Sequence, residues 1–209
     1  MTARAGVPDE HAVGDVADAK ARWRQRIRAA RRARSPQLRA RDAELLTAAV
    51  LSLAAEVDGP VCAHLPVGIE PWSPAGVEAL RAAGHDVLLP VVADRAGPLD
   101  WARYTGPDAL APGPFGLREP VGPRLGPAAV ADARLVLLPA LAADRQGVRL
   151  GQGGGFYDRT LPHVGPDVLL AVVLGPDELV DALPAEPHDR RVGAAVLPGS
   201  GVTMLRPTR

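Results

Sequence analysis

The residues best placed to do chemistry sit in one short run, RLGQGGGFYDR, residues 149 to 159. Gly151, Gly153, Gly154 and Gly155 lie between Arg149 and the aromatic pair Phe156 and Tyr157, and Asp158 follows. Glycine permits backbone shapes that other residues resist, at a cost in folding entropy. Such a cluster is either a plain surface loop or a loop whose bare N–H groups wrap a phosphate. Arg149 at the entrance suits the second reading, because a guanidinium pairs bidentately with phosphate oxygens. Asp158 suits Mg²⁺, which takes one or two carboxylates plus waters and nucleotide phosphates. The plainer alternatives stay open: Asp158 also favours a helix N-terminus, and Phe156 or Tyr157 can simply pack. Two phosphate motifs fail here. A Walker A loop ends in Gly-Lys-Ser/Thr where this one ends Gly-Phe-Tyr-Asp, and the dinucleotide fingerprint needs glycine where Phe156 sits.

A second chemical candidate lies far upstream. Lys20 is the only lysine of the chain, at the head of the basic run KARWRQRIRAARRAR (20 to 34). A lone ammonium among arginines is either a surface residue or one needed as a compact point charge. Cys62, the only cysteine, cannot form an intrachain disulfide. It reads as a small buried hydrophobe, and its isolation fits a reducing cytoplasm.

The elements that must position these residues follow from periodicity. Residues 1 to 16 are small, polar and aperiodic and are expected to form a flexible tail ahead of a single domain, 17 to 209. A helix is expected over Asp18 to Arg34, with Trp23 and Ile27 four apart. A second starts at Ser35 as N-cap and Pro36 as first helical residue. Its apolar face holds Leu45, Leu46, Ala49, Val50 and Leu53. Four short apolar runs, 61 to 67, 86 to 92, 134 to 141 and 167 to 174, read as buried strands, with SPAGVEALRAAG a helix between the first two. LDWARY is a strand or hairpin arm within a Pro/Gly-rich stretch. The alternation predicts an α/β fold: a mainly parallel central sheet flanked by helices, Rossmann-like and three-layered. The glycine run would then join a buried strand, through a polar turn, to a helix starting near Gly155. Ligands of open α/β sheets gather at that edge.

Composition narrows the function class. Hydrophobic residues make up 47% and the formal net charge is +0, so the chain can bury a core and lacks a global field for nucleic acid. No apolar run approaches the ~20 residues of a membrane span, and no secretory signal is visible. A cytoplasmic monomer with no nucleic-acid or membrane partner is expected.

The glycine run also resembles the signature of the 5-formyltetrahydrofolate cyclo-ligases, or 5,10-methenyltetrahydrofolate synthetases. Four further stretches match that family in order: KARWR (20 to 24), PVGIEPWS (66 to 73), FGLREP (115 to 120) and EPHDRRV (186 to 192). The likeness runs from about residue 18 to 198. Pro71 and Trp72 depart from the family's usual acidic pattern after Glu70, and Gln152 stands where relatives are often basic.

The resemblance implies conversion of 5-formyltetrahydrofolate, possibly polyglutamylated, to 5,10-methenyltetrahydrofolate, with ATP as co-substrate and Mg²⁺ as metal. It implies that Lys20 and Arg149 are catalytic. It places ATP on Lys20, Arg24, Arg149, Gly151, Gly153, Gly154, Gly155, Phe156 and Tyr157. Glu70, Trp101, Phe115 and Tyr157 are implied to meet the folate, Asp158 and Asp189 the metal, and His188 to orient its loop. The competing readings are a sugar-phosphate isomerase-like protein, which would need a general base beside the loop, and a nucleic-acid binder using the arginine-rich helix.

Overall fold

The computed structural model describes residues 10–93, 96–187 and 189–206. The first helix, α1, spans Glu10–Ala33 and α2 spans Pro36–Ala54. They are followed by β1 (Val61–Cys62), α3 (Pro74–Ala82), β2 (Val87–Val91) and β3 (Asp100–Arg103). A small hairpin, β4 (Leu110–Pro112) and β5 (Arg118–Pro120), precedes β6 (Leu135–Pro139). Next come β7 (Ala142–Asp144), β8 (Arg149–Leu150), α4 (Phe156–Thr160), β9 (Leu169–Val173) and β10 (Leu179–Val180). The last strands are β11 (Ala194–Leu197) and β12 (Gly201–Met204).

Seven strands form the main sheet in the order β12-β11-β9-β6-β1-β2-β3. The five inner strands are parallel, and both edge strands, β12 and β3, run antiparallel to their neighbours. The expected mainly parallel α/β sheet is therefore present. Side chains alternate across it with the period of two that a strand dictates. Val61, Leu89, Leu135, Leu137, Ala171, Val173 and Val196 face α2 and α3. Cys62, Leu88, Val136, Leu138, Leu170, Val172 and Ala195 face the opposite layer. That opposite layer consists of α4 and the 3-10 turns Pro127–Asp132 and Leu161–His163, so its helices are short.

Local chemistry explains the helix boundaries. Ser35 takes an extended conformation and its hydroxyl accepts from the Leu38 amide, with Pro36 at the first helical position. Of the predicted α2 face, Leu46 and Val50 are fully buried, whereas Leu45 is 39% exposed because the buried stripe is narrower than its apolar residues. Gly76 of α3 is required by close approach: a Cβ there would lie 2.1 Å from Trp72 Nε1. The Trp72 indole donates to Thr47 Oγ1 across the α2–α3 contact.

Three boundaries differ from the sequence expectation. The first helix begins at Glu10, so residues 10 to 16, assigned to the tail, are helical; residues 1 to 9 lie outside the described residues. The polar turn before the glycine run is a hairpin, β7 and β8, that joins β10 in a separate three-stranded sheet. Its turn is tied by Asp144 Oδ1, which accepts from the Gln146 and Val148 amides. The strands β11 and β12 had no clear apolar run to announce them, because alanine and glycine supply much of their length.

Candidate functional site

The C-terminal ends of the central strands feed one cavity of about 230 Å³. His64 and Glu70 reach it from the segment after β1, Pro90 and Val92 from β2 and its exit, and Pro139 from β6. Arg118 and Glu119 of β5 close one side, and Arg149 with residues 151 to 158 close the other. The hairpin β7–β8 is what carries the chain from the end of β6 to Arg149 and into the glycine run. Gly155 then enters α4 with φ 69°, a left-handed conformation that a side chain would strain.

Arg149 and Asp158 are paired, with Nη2 2.5 Å from Oδ1. The Arg149 side chain is buried, and its Nε has no hydrogen-bond partner. A buried donor left unsatisfied is costly, so a cavity-lining Arg149 retains capacity for an anion. Its guanidinium also lies 5.9 Å from the Tyr157 ring. Burial, with the nearby Glu70 charge, pushes the Tyr157 phenol up, so it remains a neutral hydrogen-bond donor.

The first helix grips this loop from behind. Lys20, Arg24, Arg28 and Arg31 recur at spacings of four, four and three, which places them on one helix face. Arg24 donates to the Gly151 carbonyl at 3.0 Å, and Arg28 to the carbonyl and side chain of Gln152. Buried Arg31 makes two 2.7 Å bonds to Glu178 and one of 2.6 Å to the Ala140 carbonyl. Lys20 Nζ lies 2.6 Å from Glu186 and 2.9 Å from Asp189. Burial alone would lower the Lys20 pKa, but its bonds to those two carboxylates outweigh it and raise it, so the ammonium stays charged. Lys20, Arg24 and Arg31 of this face are turned toward the body of the protein, whereas Arg22, Arg26 and Arg32 on the same helix are exposed.

Glu70, Arg149, the glycines, Phe156, Tyr157 and Asp158 thus surround one space. Lys20, Arg24 and Asp189 lie behind it, on the loop's far supports. Two of the substrate candidates, Trp101 and Phe115, are not in the cavity lining. Trp101 has no exposed surface and packs in the core between Cys62, Leu88 and the 3-10 turn layer, because β3 pairs as a sheet edge and turns this residue inward. Phe115 is 58% exposed and meets Phe156 edge-on at 5.9 Å, at the rim and not in the cavity wall. His188 lies outside the described residues.

Among the described residues there is no cluster of three or more histidines, cysteines or acids that could hold a metal. Residue-by-residue reading passed over His64, Glu119, Arg28 and Arg31. The three- and four-residue spacing along the basic run was a usable signal for Arg28 and Arg31. Nothing local marks His64 in VCAHL.

The family model for 5-formyltetrahydrofolate cyclo-ligases matches residues 16–198. A 5-formyltetrahydrofolate cyclo-ligase of Mycolicibacterium smegmatis is 47% identical over 150 residues, 70% of this chain and 77% of that protein. The Escherichia coli K12 protein of the same name is 34% identical over 124 residues, 58% of this chain and 68% of that one. Among solved structures, the Aquifex aeolicus 5,10-methenyltetrahydrofolate synthetase superposes with a TM-score of 0.76 at 28% identity, covering 91% of this chain and 94% of that one. A Mycoplasma pneumoniae 5,10-methenyltetrahydrofolate synthetase shares the fold, with a TM-score of 0.66 at 16% identity over 86% and 97% of the two chains.

Proposed function

Because the chain belongs to the 5-formyltetrahydrofolate cyclo-ligase family, we propose that its cavity converts 5-formyltetrahydrofolate to 5,10-methenyltetrahydrofolate with ATP and Mg²⁺. The observation that carries this reading is the cavity-lining Arg149, buried and with one donor unsatisfied, beside a glycine loop and across from Glu70. One wall suits phosphate and the other suits a polar heterocycle.

An amide-like formyl oxygen is a weak nucleophile, and hydroxide is a poor leaving group. Coupling to ATP answers both. The formyl oxygen attacks the γ-phosphorus and ADP leaves, giving a phosphorylated imidate; N10 then adds to the imidate carbon, and phosphate departs. Phosphoryl transfer asks the protein chiefly for positioning and charge neutralisation. Arg149 supplies a guanidinium to the phosphates and the residue 151–155 amides supply neutral donors. Lys20 and Arg24 hold the loop and its acidic neighbour in place and lend positive charge from behind. Asp158, in the cavity lining, would hold Mg²⁺ together with phosphate oxygens and waters, with Asp189 as the second candidate carboxylate behind the loop; the ion would neutralise charge on the phosphates. Glu70 orients the pterin, and Tyr157, a neutral phenol, borders it.

The test is an ATP-dependent rise in near-ultraviolet absorbance from the conjugated methenyl bridge, with 5-formyltetrahydrofolate and Mg²⁺ near neutral pH. Acid closes the ring without an enzyme, so an ATP-free control is subtracted. A rise only with ATP supports the reading. Nucleotide binding without any rise would discard the folate while retaining the phosphate site.

A further inference from the structure

His64 is not used by any step above, although it lines the same cavity and is only 5% exposed. Its ring is fixed on one side: Nδ1 lies 3.2 Å from the Leu137 carbonyl of β6. A carbonyl can only accept, so Nδ1 carries the proton and Nε2 is left with a lone pair. That nitrogen lies 3.9 Å from Glu70 Oε2, too far for a hydrogen bond but close enough for a charge pair once the ring is protonated. Glu70 is held in turn, since its Oε2 accepts from the Val67 amide at 3.1 Å. Lone pair and carboxylate therefore face each other with no proton between them.

The proposed reaction produces one proton that must go somewhere. As N10 bonds to the imidate carbon, its N–H bond breaks; the C–O electrons leave with phosphate. Most other polar side chains of the cavity are engaged or hold their own proton. Arg118 and Arg149 are donors only, and Tyr157 is a neutral phenol. Glu119 Oε1 accepts from the Val92 amide, and Asp158 pairs with Arg149. From α1, the charge of Arg31 also bears on the imidazole and opposes its protonation.

We propose that His64 Nε2 takes the N10 proton during ring closure and that Glu70 stabilises the imidazolium so formed. This rests on the cyclo-ligase reading. Two features prepare the histidine for it. The Leu137 carbonyl keeps the correct tautomer, and burial lowers the pKa of His64, so the ring enters the reaction neutral. The 3.9 Å gap to Glu70 becomes a charge pair once the proton arrives.

The experiment is a pH profile of kcat and KM from about pH 5 to 8, spanning the ordinary imidazole value and the region below it, for wild type, His64→Phe and His64→Gln, with the ATP-free rate subtracted at each pH. Fold is checked by circular dichroism. Folded variants should lose about 10²-fold in kcat, the scale of general base catalysis, with KM changed far less and the acid limb of the profile abolished. Added imidazole should restore part of the rate to His64→Ala. A folded His64→Phe or His64→Gln with wild-type kcat and acid limb would overturn the proposal, as would a loss confined to KM. Wild-type protein that binds ATP but makes no methenyl product would overturn the cyclo-ligase reading itself.

Discussion

Each carboxylate of the candidate magnesium pair is held by a cation, Asp158 by Arg149 and Asp189 by Lys20. The two sites differ in exposure, 60% for the Asp158 side chain against 16% for Asp189, and so in what a substitution would disturb. Asp158→Asn should leave folding within about 0.5 kcal/mol, as exposed substitutions do. It should also raise the Mg²⁺ needed for half-maximal rate at least about tenfold, the cost of losing a charged ligand contact. A Mg²⁺ titration of turnover checks this, and equal activity at low Mg²⁺ removes Asp158 from the metal site. Lys20→Arg replaces a point charge by a planar fork between Glu186 and Asp189. Its KM for ATP should rise several-fold, and unchanged ATP kinetics would confine Lys20 to holding the loop. At this scale, residue types singled out the glycine run and Asp158, which line the cavity, and also Trp101, which lies in the core. Its indole looks the same in a sequence whether it faces ligand or core, and only the pairing of β3 turned it inward.

Among the elements, α1 has the most to do with the site. Arg31 and Glu178 form a buried, two-pronged pair that also engages the Ala140 carbonyl and the Gly175 amide. Arg31→Leu would leave Glu178 buried without its cation, which typically costs about 3–5 kcal/mol. A loss of unfolding free energy of that size, read as a lower urea midpoint, is expected, and a midpoint near wild type would mean that α1 docks without this pair. In α3, Gly76→Ala would drive a Cβ to within 2.1 Å of Trp72 Nε1 and 2.6 Å of Thr47 Oγ1. Overpacking of this kind costs about 1–3 kcal/mol, and thermal unfolding should show it, with wild-type stability sinking the close-approach argument. The start of α2 was legible in Ser35 and Pro36 because capping is local chemistry. The β7–β8 hairpin was not, because its strands are two and three residues long and gain their partner from β10, distant in sequence.

For the molecule as a whole, stability and site meet in the buried histidine. Burial holds the His64 pKa below its ordinary value of 6.5. Above that pH neither folded nor unfolded chain protonates it and it adds no slope. As pH falls through about 6.5, the unfolded chain binds the proton first, so stability declines until the lower, folded value is reached. Urea midpoints at successive pH values should therefore fall more steeply for wild type than for His64→Phe. The difference is at most about 1.4 kcal/mol per pH unit, and identical slopes would show that His64 is not buried neutral.

The sequence by itself determined the fold class and the family. Apolar runs of strand length, alternating with capped helices, leave few architectures other than a mainly parallel sheet, and five ordered stretches are a pattern that survives without coordinates. It also marked which loop could bind phosphate, because glycine clusters and charged neighbours are local properties. Only the tertiary structure decided what faces what. It turned the basic side of α1 inward to hold the glycine loop, buried Trp101, and brought His64 of the β1 exit against Leu137 of β6 and Glu70. Strand order and register set these encounters, and they depend on packing between segments far apart in the chain, which no local spacing encodes.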